Sequence, residues 1–373
     1  MYIIIPMIIL LWINKGPEIK ATPLIIAYYP NWARWRTGHY SFRLRDVNGT
    51  LITHLIYAFL KPTSNGKIII ETPEDFLDLL QFKDKFPNVK IILSVGGAGN
   101  YSIPFNDIVS SKNRINNFAE NAKNLLLSNN FDGLDLDWEY AGVNQKNGFM
   151  LLIKTLAIKF KSDLKKPLLL LAAVSSSRNQ IIKSYNIREM NKYLDYFNLM
   201  SYDFHGSWGN TVNHNSPLRS NDMLSLEYAL NYYILNGASV DKINIGLAFY
   251  GRSFTLKDPN QTSPGSPSVK KPAPLAGNIT SESGYLAYFE IKDLNWTEKW
   301  DDFAKVPYTF KGRDWISYDN LRSYSYKIKY SCLKKVRGYM LWDISMDDLA
   351  NNLLFHIYST SKLICDKINL FPS

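Results

Sequence analysis

Residues 131–140 read FDGLDLDWEY. Asp132, Asp135, Asp137 and Glu139 crowd into this stretch, yet phenylalanine, leucine and tryptophan are threaded between them. On a β-strand, successive side chains point to opposite faces. Asp135, Asp137 and Glu139 then share one face, and Leu134, Leu136 and Trp138 share the other. A solvated acidic turn has no use for that apolar half, so the stretch reads as a strand buried on both sides. Three carboxyls on one buried face repel one another and lose hydration. They persist only with shared protons or good donors around them, which raises the pKa of at least one. A carboxylic acid still protonated near neutral pH can serve as a general acid. A cation site is the competing reading of the same acids. An EF-hand loop beginning at Asp135 needs glycine where Tyr140 stands and glutamate where Lys146 stands, so no metal is expected.

Seven further apolar runs resemble this one in length. They are PLIIAYY (23–29), THLIYAFL (53–60), VKIILSVGG (89–97), PLLLLAAVS (167–175), YFNLMSYDF (196–204), INIGLAFYG (243–251) and VRGYMLWDI (336–344). Between them lie amphipathic stretches of helical period, among them 114–129, 148–164 and 223–237. Strands alternating with helices imply parallel pairing and right-handed crossovers. Eight such units predict a (β/α)8 TIM barrel, with Glu139 highest on its strand, at the C-terminal mouth where such barrels place their sites. An open doubly wound sheet is the alternative, but no glycine fingerprint follows the first strand. The gap between the seventh and eighth runs is too long for one helix. Residues 256–320 open with a Pro/Gly/Ser-rich loop and continue in Tyr/Trp-rich, strand-like pieces. They predict a small α+β insertion between strand 7 and helix 7, with 22–255 and 321–373 forming the barrel.

Aromatic residues make up 14% of the chain, with 24 Tyr, 19 Phe and 9 Trp. Several fall at the C-terminal ends of expected strands: Tyr29, Phe59, Tyr202 beside Met200, Tyr250 and Trp342. Flat rings gathered there suit the faces of sugars, and Asp203 adds a carboxyl to the same mouth. The formal net charge is +10, but no dense basic block accompanies it, so a nucleic-acid partner is not expected. The apolar stretch 2–13 is too short to span a bilayer and has the length of a signal-peptide core. A leader over 1–21, secretion and no membrane anchor are therefore expected. Five N-x-S/T triplets, at Asn48, Asn100, Asn260, Asn278 and Asn295, fit that route. The two cysteines, Cys332 and Cys365, can form one bridge at most, and spacing does not say whether they do.

With these residues in place, FDGLDLDWE (131–139) resembles the D-G-x-D-x-D-x-E signature of glycoside hydrolase family 18, the chitinases and chitinase-like lectins. YYPNWARWR (28–36), SVGG (94–97), MSYDFHGSW (200–208), NSPL (215–218), YGRSFTL (250–256) and GYMLWDISMDD (338–348) are similar to counterparts in its animal-type branch. The resemblance implies retaining hydrolysis of chitin or chitooligosaccharides without an enzymic nucleophile, the substrate's own N-acetyl group attacking its anomeric carbon. It implies Glu139 as acid and then base, Asp137 as the group that orients the acetamide, Asp135 as its partner, and Tyr202 as donor to the acetamide carbonyl. Asp203, Tyr250 and Arg252 are implied as sugar contacts, Trp342 as the floor, Trp32 as a more distant stacking platform and Glu290 as a contact from the insertion. A monomer without organic cofactor or metal follows from the same likeness.

The chain also departs from the pattern. Ala98 and Gly99 follow SVGG where many relatives carry tryptophan, Ala141 stands where proline is common, and Ala27 and Ile52 replace cysteines that pair in many relatives. The lectin branch, which usually lacks the acid glutamate, is the alternative reading; here Glu139, Asp137 and Asp135 are all present.

Overall fold

A computed structural model describes residues 22–162, 166–348 and 350–370; the leader expected over 1–21 lies outside them. Eight parallel strands close a barrel: β1 (Leu24–Pro30), β2 (His54–Pro62), β3 (Lys90–Gly97), β4 (Gly133–Trp138), β5 (Leu169–Ser175), β6 (Tyr196–Met200), β7 (Ile243–Ala248) and β8 (Gly338–Trp342). β1 pairs with both β2 and β8, so the sheet has no open parallel edge. Each strand coincides with one of the eight apolar runs, and the expected (β/α)8 barrel is the fold.

Alternation along the strands builds two cores. Leu24, Ile26, Tyr28, Ile56, Leu171 and Met340 fill the barrel. Ile25, Ala27, Tyr29, Leu134, Leu136 and Trp138 point outward into the layer beneath the helices. The helix Lys112–Ser128 turns Ile115, Phe118, Ala119, Ala122 and Leu126 toward that layer, a spacing of three and four that makes one stripe. Each such Leu or Phe contributes about 1.5–3 kcal/mol by leaving water. The helix Leu226–Leu235 starts where the Ser225 hydroxyl accepts the Tyr228 N–H at 3.3 Å. No described helix is long and apolar enough to cross a membrane.

Two features set the height of the carboxyl column. Ser94 and Gly96 of β3 stand opposite Asp135 and Asp137 of β4. Gly96 has φ +112°, and a Cβ there would run into the Asp137 carbonyl oxygen. Glycine is therefore what lets β3 lie against the strand that carries the acids.

A six-stranded antiparallel sheet follows β7. Its central strand is Tyr250–Leu256, flanked by Ser268–Val269 and Tyr285–Ala287 on one side and Asp314–Ser317 on the other. The central strand of this sheet starts at Tyr250, within the 22–255 stretch expected for the barrel. INIGLAFYG runs into YGRSFTL with no turn residue to mark the change of sheet, which is why the sequence hides it. Cys332 and Cys365 are bonded, with Cα atoms 5.2 Å apart, and tie the helix Leu321–Lys334 to the helix Asn352–Leu370.

Candidate active site

The column on β4 is graded from the barrel floor to its mouth. Asp135 is fully buried and accepts hydrogen bonds from Tyr28 Oη (2.8 Å), Ser94 Oγ (2.8 Å) and Asn198 Nδ2 (3.5 Å). Asn244 supports Asn198 in turn at 3.0 Å. Burial lifts the Asp135 carboxyl to about 6, although these donors pull the other way. Asp137, next above, is buried, and among the described residues its Oδ1 has no hydrogen-bond partner. Burial, with Glu139 and Asp135 beside it, pushes Asp137 well above the usual carboxylate range. Glu139 stands at the mouth, where burial raises it to about 7; a hydrogen bond from Tyr140 opposes this and the Asp203 carboxylate adds to it. Its backbone N–H donates to Ser102 Oγ at 2.8 Å, and Ser102 donates to the Gly97 carbonyl at 2.7 Å.

Across the cleft stand Tyr202 and Asp203, just past β6. Among the described residues, the Tyr202 hydroxyl reaches only Met340 Sδ, at 3.6 Å. Tyr202 meets Tyr250 edge to face at 5.9 Å. The Tyr250 hydroxyl and Arg252 Nε both donate to Asp203 Oδ1 at 2.7 Å. Arg252 also lies over the rings of Tyr285 and Trp208, at 5.0 Å and 5.2 Å.

The floor is aromatic. Trp342 meets Tyr28 edge-on at 5.4 Å, stacks on Phe59 at 5.7 Å and tilts against Trp32 at 6.3 Å. Trp32 keeps 44% of its surface exposed. The cleft they bound holds about 680 Å³, within the size range of sites that take drug-sized ligands.

The structure brings Glu139, Asp137, Tyr202, Trp32, Met200, Asp203, Tyr250, Arg252 and Trp342 to the cleft wall, with Asp135 directly beneath. Three expected contacts lie elsewhere. Tyr29 is fully buried in the outer core, its hydroxyl reaching the Phe42 carbonyl at 3.4 Å; Tyr28 is the residue that faces the site. Phe59 is packed behind Trp32 and Trp342, against Gly97, and supports the floor from below. Glu290 turns away from the cleft and accepts the N–H groups of Ile279 (2.6 Å), Thr280 (3.1 Å) and Ala287 (2.8 Å). The carboxylate so placed fixes the loop whose outer surface, at Ile279 and Thr280, lines the cleft.

Other lining residues were not foreseen, including Trp208, Gln180, Glu282 and Tyr285. Trp208 was visible as the end of MSYDFHGSW, and Tyr285 carried no signal beyond being one tyrosine among 24. Ser102 appeared only as the third residue of the Asn100 triplet. Ala98 lines the cleft as an exposed small residue. Among the described residues, no group of three or more His, Cys, Asp or Glu is arranged to hold a metal ion.

The sequence model of the glycosyl hydrolases family 18 matches residues 24–347. The chain belongs to that family. It is 35% identical to human chitinase-3-like protein 2, over 92% of this chain and 90% of that protein. The solved structure of the Group IV chitinase of Ostrinia furnacalis in complex with allosamidin superposes with a TM-score of 0.86. That likeness is at 33% identity and covers 92% of this chain and 99% of the other. Human YKL-39, described as a pseudo-chitinase with retained chitooligosaccharide-binding properties, is equally similar: TM-score 0.86, 33% identity, 93% of this chain and 100% of its own. Family 18 thus supplies both enzymes and binders at the same distance from this chain. Overall likeness does not choose between them, so the choice falls to the residues in the cleft.

Proposed function

We propose that the chain is a chitinase, cleaving β-1,4 links between N-acetylglucosamine units with retention and with the substrate's acetamide as nucleophile. The observation that carries this reading is the unbroken column Asp135–Asp137–Glu139 under an open cleft. Glu139, raised to about 7, is protonated at slightly acidic pH and can give its proton to the glycosidic oxygen, then take one from water. Asp137 Oδ1, buried without a partner, is free to accept the acetamide N–H and to stabilise the positive charge that forms. Asp135 below it is held by three donors and sets where the shared proton sits. Tyr202, whose hydroxyl has only a sulfur neighbour, is free to donate to the acetamide carbonyl. Trp342 and Trp32 offer the faces on which sugar rings lie.

Secretion fits the same reading: the leader expected over 1–21, the five glycosylation triplets and the Cys332–Cys365 bond all suit an oxidising compartment.

The test is hydrolysis of a fluorogenic chitotrioside by wild type and Glu139→Gln, each with and without chelator. Turnover by wild type alone, unchanged by chelator, is expected. The second reading, a chitooligosaccharide binder without turnover, draws support from the pseudo-chitinase relative. It predicts that both proteins retain the sugar and neither cleaves it.

A further inference from the structure

Tyr202 and Asp203 sit in irregular backbone, and Asp203 adopts φ +55°, in the left-handed region. Something must hold that turn, and the holding group lies behind the cleft wall. The Asp203 N–H donates to Asn215 Oδ1 at 3.0 Å, and the Phe204 N–H to the Asn215 carbonyl at 3.0 Å. Next to Asn215, Ser216 Oγ donates to the Ser201 carbonyl at 2.7 Å. Ser216 Oγ also accepts from Lys327 Nζ at 2.9 Å. Lys327 comes from the helix Leu321–Lys334 and donates to both oxygens of Asp319, at 2.6 Å and 2.7 Å. Lys327, Ser201 and Asn215 are fully buried, and Asp319 and Ser216 are each 2% exposed.

The donor count makes the arrangement one-way. An ammonium has three hydrogens and accepts nothing. Two of those hydrogens go to Asp319 and the third to Ser216. Ser216 must therefore accept from Lys327, and its single hydrogen is left for Ser201, the residue before Tyr202. A buried ion pair is weak evidence for stability, because apolar replacements of similar size often serve as well. It does impose direction on its neighbours.

We propose that Lys327, through Ser216, is a positioning residue for the Tyr202–Asp203 turn, fixing those side chains against the sugar at the reacting centre. This rests on the hydrolytic reading above. No part of the network touches the cleft itself; it acts by fixing the backbone that presents two cleft residues.

The test compares wild type, Ser216→Ala and the double variant Lys327→Met with Asp319→Leu, the last removing both charges so that none is orphaned. Two quantities are read: kcat on chitotrioside, and amide hydrogen exchange across 201–204. Expected in both variants is a fall in kcat of about 10- to 100-fold with faster exchange at Asp203 and Phe204, while the barrel strands keep their protection. Combining Ser216→Ala with Tyr202→Phe is expected to cost less than the sum of the two single losses, as for residues acting along one route. Unchanged kcat in folded Ser216→Ala overturns the proposal, as does additivity with Tyr202→Phe, or a loss of kcat without faster exchange in the turn. If the double variant does not fold, Ser216→Ala decides alone. A wild type that does not turn over defeats the hydrolytic reading by itself. The exchange comparison then decides whether Ser216 holds the turn, and unchanged exchange overturns that too.

Discussion

Ser94 and Asp135 stand directly opposite one another on β3 and β4, and the Ser94 hydroxyl donates to the Asp135 carboxylate at 2.8 Å. Tyr28, from β1, donates to the same oxygen at 2.8 Å. Side chains from β1 and β3 thus meet at one carboxylate of β4. The lowest acid of the column owes its accessible titration range to these neutral donors, since burial alone drives it upward.

Removing one of the donors should move Asp135 further up. Tyr28→Phe loses a hydrogen bond to a charged acceptor, worth about 1.5–3 kcal/mol, or about one to two pH units. If Asp135 must be ionised to draw a proton from Asp137, the acid limb of kcat lies near pH 6 in wild type. It should shift to higher pH in Tyr28→Phe. Tyr29→Phe, whose hydroxyl makes only a 3.4 Å contact in the outer core, should leave the limb in place. The paired pH profiles of the two variants check this.

Glu139 predicts the other limb. An acid that must be protonated loses activity as pH rises through its pKa, so kcat should fall with a midpoint near pH 7. Stability follows the same sign. The folded pKa is raised above the ordinary 4.5, so the stabilisation is fully present below about 4.5 and is lost as pH climbs through about 7. Glu139→Gln abolishes this penalty. It should match wild type in denaturant unfolding at pH 4, exceed it at pH 8 by about 1–3 kcal/mol, and lose activity by about 10²-fold or more.

The barrel and the acid column were legible because strand alternation on β4 is marked by charge, so its phase is unambiguous. β1 carries no such mark. LIIAYYP is apolar on both faces, and either tyrosine could have pointed inward. The phase is set by pairing, with Tyr28 opposite Ile56 and Tyr29 opposite Tyr57 on β2. That register is invisible in one strand read alone. Glu290 was misplaced for a different reason. The sequence shows a carboxylate near the cleft but not the loop N–H groups that claim it. The disulfide was undecidable from spacing, since it depends on two helices lying side by side.

Glu290 should behave as a structural residue. Glu290→Ala removes the acceptor of three backbone donors, two at half-buried Ile279 and Thr280 and one at buried Ala287, at a cost of about 1–3 kcal/mol. A lower thermal midpoint is expected, with kcat/KM on chitotrioside within a few-fold of wild type at low temperature. A sugar contact would show the opposite pattern, a raised KM with an unchanged midpoint.

The Cys332–Cys365 bond closes a loop with a sequence separation of 33 residues. Chain-entropy arguments give about 3–4 kcal/mol for a loop of that size. Both sulfurs are buried beside the Tyr339 hydroxyl, at 3.7 Å and 3.8 Å, in the outer layer behind β8. The bond therefore secures the last two helices against the barrel without touching the cleft. Cys332→Ser with Cys365→Ser should lower the free energy of denaturant unfolding by about 3–4 kcal/mol and leave KM for chitotrioside unchanged. The same double variant should make wild type's sensitivity to reductant disappear. A KM that rises with the loss of the bond would mean that strain in these helices reaches Trp342 at the end of β8, and the separation of the two regions would have to be abandoned.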